Sequence, residues 1–217
     1  MTKNGQEIPK VLRSQVNWDN LYFYQKCDVL YLLTSAFCRR FLPPYGDRTV
    51  DQMVQAARSG KQNIVEGLAD GVTSTEMQLK LLNVARASIQ ELREDYYDYL
   101  KSRCLTVWDR QSERFSKMVA FCRVHNKKED YEGFFEKWNE EEMANVAVTL
   151  CHMVDAMMNT YLKGLDTQFV TEGGIKERMY AARTGYRQGV DQRLKELEEE
   201  NRALKREVER LRGLLKL

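Results

Sequence analysis

The chain has 217 residues, 43% of them hydrophobic and 30% charged, with a formal net charge of +2. Its 3 Pro and 12 Gly are too few for a sheet protein with many tight turns, and the near-neutral balance excludes a strong polycation, so any nucleic-acid contact must come from local patches. The five cysteines (Cys27, Cys38, Cys104, Cys122, Cys151) are odd in number, irregularly spaced and without a Cys-x-x-Cys, which reads as reduced thiols packed as small apolar groups in a reducing cytosol.

In chain order, residues 1–16 read as a loose polar arm without an apolar signal core. A first helix is expected from Trp18 to Phe41, with Leu21, Tyr24, Leu30, Leu33, Phe37 and Phe41 on its apolar stripe, ended by Pro43, Pro44 and Gly46. The most apolar stretch, Val29 to Phe37, is far too short to span a bilayer and carries Thr34 and Ser35, so the protein is expected to be cytoplasmic and without a membrane partner. The second helix is expected from an Asp47 N-cap to Ala69, and Gly71 breaks the chain. Ser74 caps the third, whose stripe of Leu79, Leu82, Ala85, Ile89, Leu92 and Tyr96 lasts to about Lys101. Breaks this short make consecutive helices antiparallel neighbours.

From Ser102 to Trp138 the pattern weakens to an insert with short helices around Phe115–Val124 and Tyr131–Lys137. The fourth long helix begins near Asn139, where Glu140, Glu141 and Glu142 complement the positive end of the dipole and otherwise read as a solvated charge run. Its core face is Met143, Val146, Leu150, Met153, Val154, Met157 and Tyr161, and Gly173 and Gly174 end or bend it. A last helix starts at about Ile175 and enters a heptad region, with Gly185 and Gly189 as a candidate hinge. The organisation expected is therefore an all-α chain: an up-down-up-down four-helix bundle over 17–172 with an insert at about 102–138, a connecting helix over 173–189 and a coiled coil over 190–217.

The heptads are the most specific signal. With Leu194 at position a, the a sites are Leu194, Asn201, Val208 and Leu215, and the d sites are Val190, Leu197, Leu204 and Leu211. Leu at d with one polar Asn at a favours a parallel two-stranded coil, because the Asn pair is satisfied only in register. The g-to-e′ contacts of a parallel pair are Arg193 with Glu198, Glu200 with Lys205, and Glu207 with Arg212, all opposite in sign; an antiparallel pair would set Glu200 against Glu200. The first partner is a second copy of the chain.

Helices two and three carry an unusual polar content. Arg58, Asn63 and Glu66 lie beside Ala56, Ala57, Ser59 and Gly60, and Arg86, Ser88 and Glu91 lie beside Ala85 and Ala87. Small residues permit close approach, so these stretches are expected to meet in a hydrogen-bonded structural seam, since buried charge persists only when paired. The segments Arg58-Ser59…Asn63-Ile64-Val65-Glu66-Gly67 and Ala85-Arg86-Ala87-Ser88-Ile89…Glu91-Leu92 resemble the four-helix-bundle proteins of the 23S rRNA intervening-sequence type, which include the accessory variability determinant of diversity-generating retroelements. Gly173-Gly174-Ile-Lys-Glu-Arg-Met-Tyr180…Arg183…Tyr186-Arg187 looks like the suffix segment of a bacterial subgroup. The resemblance implies a left-handed bundle, a closed ring, typically of five subunits, no catalysis and, in some relatives, a basic surface that engages nucleic acid and a reverse transcriptase. Two-fold tails do not map evenly onto five subunits, and the tail is expected to set a dimer or to cross-link bodies.

No catalytic, cofactor-binding or metal residues are assigned. Cys122-x-x-His125 with Cys151-His152 matches no zinc spacing, and a di-iron bundle would need Glu where Thr149 stands before His152. No Gly-rich phosphate loop occurs. A nucleic-acid patch is expected at Lys176, Arg178, Arg183 and Arg187, with Tyr180 and Tyr186 for stacking. The function expected is a non-enzymatic homo-oligomeric scaffold or adaptor that acts on RNA, DNA or a nucleic-acid enzyme. The rivals are a purely protein-binding module and a small metal or hydrolytic enzyme at the seam of helices two and three.

Overall fold

The computed structural model describes residues 11–43 and 48–214, and these contain seven α-helices, a 3-10 turn and no strand. They are α1 (Tyr22–Phe41), α2 (Arg48–Asp70), α3 (Thr75–Ser102), α4 (Glu113–Val124), α5 (Glu129–Glu132), α6 (Glu140–Glu172) and α7 (Ile175–Leu214). None is long and apolar enough to cross a membrane. The chain separates into two compact units, a body over Arg13–Thr171 and a unit that contains α7.

The expected first turn at Trp18 is a separate 3-10 turn, Trp18–Asn20, because the Asn17 side chain accepts from Asp19 N and Leu21 is extended. Ser74 caps α3 by accepting from Met77 N at 3.2 Å. The Asp47 cap and the breakers Pro44 and Gly46 lie outside the described residues. In the insert α5 is a single turn, and 133–137 form turns where a helix to Lys137 was expected. α6 starts on a reciprocal capping box: Glu142 N donates to Asn139 Oδ1 at 2.9 Å and Asn139 N to Glu142 Oε2 at 3.0 Å. Gly173, at φ +72°, ends α6 in the left-handed region that glycine adopts without strain. α7 then runs unbroken across Gly185 and Gly189, so the expected hinge is helical.

Residue pairs fix how the helices of the body meet. Gly60 lies against Ile89 and Gly67 against Leu81 and Leu82, so α2 and α3 run antiparallel at close range. Lys61 and Asp28 join α2 to α1 at 2.6 Å. Tyr96 donates to Thr34 at 2.9 Å, and Phe37 packs edge-on against Tyr96 and Tyr99. α6 closes on both α1 and α3, through Phe23 with Tyr161 and through Arg86 with Asp155 at 3.0 Å. The core between them includes Leu30, Leu33, Phe37, Ile64, Leu82, Leu92, Leu150 and Val154, each at most 1% exposed.

Among the described residues Lys26 is the buried charge. It is 3% exposed, and its ammonium donates to the carbonyls of Cys122 and of His125 at the C-terminal end of α4. Helix C-termini leave carbonyls without intrahelical donors, and the buried cation supplies them, as Tyr131 does by donating to His125 O at 2.9 Å. Burial holds the Lys26 ammonium below the usual lysine pKa, and Cys122 and Asp130 oppose the shift.

Candidate interaction surfaces

α7 buries none of its residues within the chain. Its seam positions stand open to solvent: Val190 48%, Leu194 55%, Leu197 46%, Leu204 59%, Val208 48% and Leu211 45% exposed. Asn201 sits among them, also exposed, and Leu215 lies outside the described residues. An apolar stripe this long on a helix with an otherwise charged surface marks an interaction face. Two of the charges flanking the seam form intrahelical pairs: Arg193 with Glu196 at 3.1 Å and Glu207 with Arg210 at 2.7 Å. Such exposed pairs contribute roughly 0.3–0.5 kcal/mol each.

The basic segment occupies the first turns of the same helix. Lys176, Arg183 and Arg187 are exposed, Arg178 is half-buried, and Tyr180 and Tyr186 are 75% and 60% exposed. Lys176, Tyr180, Arg183 and Arg187 follow one another at spacings of four, three and four residues, which puts them on a single face.

The α2/α3 seam is smaller than expected. Ser59 Oγ and Ser88 Oγ meet at 3.0 Å, and Asn63 Nδ2 donates to Ser59 O and Oγ at 2.9 and 3.1 Å. Arg86 turns to α6, where Asp155 accepts from it and from Gln90 at 3.1 Å. Arg58, Glu66 and Glu91 lie exposed. Gly60 explains this division: backbones this close leave room for hydroxyls but not for two long charged side chains.

The run Glu140–Glu142 is likewise more than a solvated face. Besides the capping box, Glu140 accepts from Tyr99 OH at 2.6 Å, and Glu141 accepts from Trp108 Nε1 at 2.8 Å and from Thr106 N at 3.1 Å. Those donors, with Arg114 alongside, hold the Glu141 carboxyl below the usual carboxylate pKa. Asn145 completes the anchor: it donates to Thr106 O and Glu141 O and accepts from Trp108 N at 2.9 Å. These bonds fasten the insert to α6.

Between the insert, α6 and the ends of α1 and α3 lies a groove of about 1070 Å³, which the sequence reading missed. Phe115, Val119, Val148, Met153 and Met157 line it with apolar surface, and Arg110, Arg123 and His152 add polar groups. His152 shares a hydrogen bond of 2.9 Å with Tyr97 OH. Burial lowers its pKa first, and the positive charges of Arg93 and Arg110 lower it further. No signal in the sequence could have found the groove, because its walls come from segments far apart in the chain. His125 Nδ1 donates to Phe121 O at 2.9 Å, Cys122 and Cys151 are buried, and among the described residues no three metal-ligating side chains converge.

No family model, curated protein or solved structure matches this chain.

Proposed function

We propose that the protein is a homo-oligomeric helical scaffold without catalysis of its own, paired through α7 as a parallel two-stranded coiled coil and gripping nucleic acid with the basic turns that precede the coil. The body is read as an up-down-up-down four-helix bundle of α1, α2, α3 and α6, in keeping with the antiparallel α2/α3 register and with the resemblance of these helices to the intervening-sequence bundles. The observation that carries the proposal is the open heptad stripe on a 40-residue continuous helix. A second copy covers that stripe leucine to leucine, pairs Asn201 with Asn201 and offers opposite charges at every g-to-e′ contact.

Traced backward from Val190, the same seam reaches Arg187 and Tyr180 at a and Arg183 and Lys176 at d. Cations facing cations across a pair repel, so the zipper ends at Val190 and the two helices part. Helices that fork from a zipper with basic residues on their inner faces can straddle a nucleic-acid backbone. With Lys176, Arg183 and Arg187 from each chain, six cations meet the phosphates.

Light scattering on the full chain and on a chain ended at Gly189 tests the assembly. The full chain is expected at twice the monomer mass and the truncated chain below it; an unchanged mass would sink the tail as the assembly device. For the fork, the affinity should fall with salt at a log–log slope of roughly −5.4 for duplex DNA and roughly −4.2 for single-stranded RNA with six phosphates. R183E with R187E should abolish it. No binding even at low salt would remove the nucleic-acid partner and leave a protein-binding module.

A further inference from the structure

We propose that the groove between the insert and α6 binds a small amphipathic carboxylate, with a hydrocarbon body along Phe115, Val119, Val148 and Met153 and its acid group at Arg110 beside His152. The volume of about 1070 Å³ lies just above the range of roughly 300–1,000 Å³ usual for small-molecule sites. Its floor asks nothing polar of a ligand: Asn145 is engaged at its amide and its carbonyl, and Thr149 donates to the Met118 sulfur at 3.6 Å. Lys26 is taken up by two carbonyls.

The remaining charges favour an anion. Elsewhere on the body Arg86, Arg93 and Arg114 each have a carboxylate partner. Arg110 and Arg123 line the groove without an ion pair among the described residues, and Asp109, the acid in the same lining, accepts from Gln111 N at 3.0 Å in its own turn. Burial is the first cause of the lowered His152 pKa; Arg93 and Arg110 lower it further, and Asp155 and Glu94 oppose them. Tyr22 and Val124, 62% and 72% exposed, extend the apolar rim that the tail of such a ligand would cover. The insert thereby has a purpose that a plain bundle would not require.

The test titrates the full chain with dodecanoate and with dodecan-1-ol, read by calorimetry and by Trp108 fluorescence. Dodecanoate is expected to saturate at one molecule per chain and to bind at least about tenfold more tightly than the alcohol, the loss expected when one charge-assisted contact is removed. Arg110→Glu should erase that preference while the alcohol binds as before, and Met153→Trp should exclude both probes. The His152 ring, followed by NMR, should titrate at higher pH with dodecanoate bound and not with the alcohol. Equal affinity for the two probes, or an unchanged preference in R110E, overturns the proposal. So does a groove that admits the probe only on dilution of the oligomer, which would assign it to a second copy, and so does the binding of neither probe.

Discussion

At Gly60 an added Cβ would lie 2.6 Å from Ile89 Cδ1 and 3.0 Å from its Cγ1, while at Gly164 it would meet nothing within 4 Å. Both glycines sit inside long helices, so alanine would favour the folded state at either by roughly 0.5–1 kcal/mol if backbone freedom were the whole effect. At Gly60 the clash with a fully buried Ile89 adds an overpacking cost of about 1–3 kcal/mol. Gly164→Ala should therefore raise the urea midpoint and Gly60→Ala should lower it. Equal shifts in one direction would mean that α2 and α3 are not held at this separation. The small residues around Gly60 were legible in the sequence, since Ala56, Ala57 and Ser59 announce a close approach. The orientation of Arg86 was not, because periodicity places a residue on a helix face without saying which neighbour lies there. That answer required Asp155, 69 positions away.

Among the elements, the insert shows what helical periodicity leaves unread. α1, α3 and α6 advertise themselves by stripes and caps, and their observed ends fall within a few residues of those expected. The start of α6 near Asn139 was expected from its glutamates and the dipole, but the reciprocal Asn139…Glu142 box was not read. The segment 103–112 has no period, and its structure is dictated by Glu141 and Asn145 on a different helix. Glu141→Gln should loosen that attachment by ~1.5–3 kcal/mol, the scale of hydrogen bonds to a charged acceptor. The pH dependence has a definite sign. A carboxyl whose folded pKa is depressed stabilises fully above its unfolded value of 4.5, and the contribution is lost as pH falls through the lower folded value. Thermal melts of the parent chain should thus drop below about pH 4.5 more steeply than those of Glu141→Gln. Parallel curves would deny the carboxylate this role.

For the molecule as a whole, the heptads are the most explicit pattern in the sequence, and the structure gives them one continuous helix with the seam exposed; the second copy that would cover it is the proposed partner. Asn201→Leu should make the tail pair more tightly but lose its single stoichiometry, since the polar a-site pair is what enforces register and two strands. Sedimentation velocity should resolve a mixture where the parent gives one species, and one unchanged species would contradict a buried Asn pair. The groove and the anchored insert belong to the opposite extreme, visible only once distant segments are apposed. Lys26 gives that apposition a historical consequence. An ammonium buried in the core is tolerated only while the end of α4 surrounds it with carbonyls. Deleting the insert would strand the charge, whereas replacing the lysine first would take from Cys122 O the ammonium that donates to it and leave His125 O to Tyr131 alone. Neither change is harmless by itself, so descendants of this chain would have to make both together, and the insert is thereby shielded from piecemeal loss.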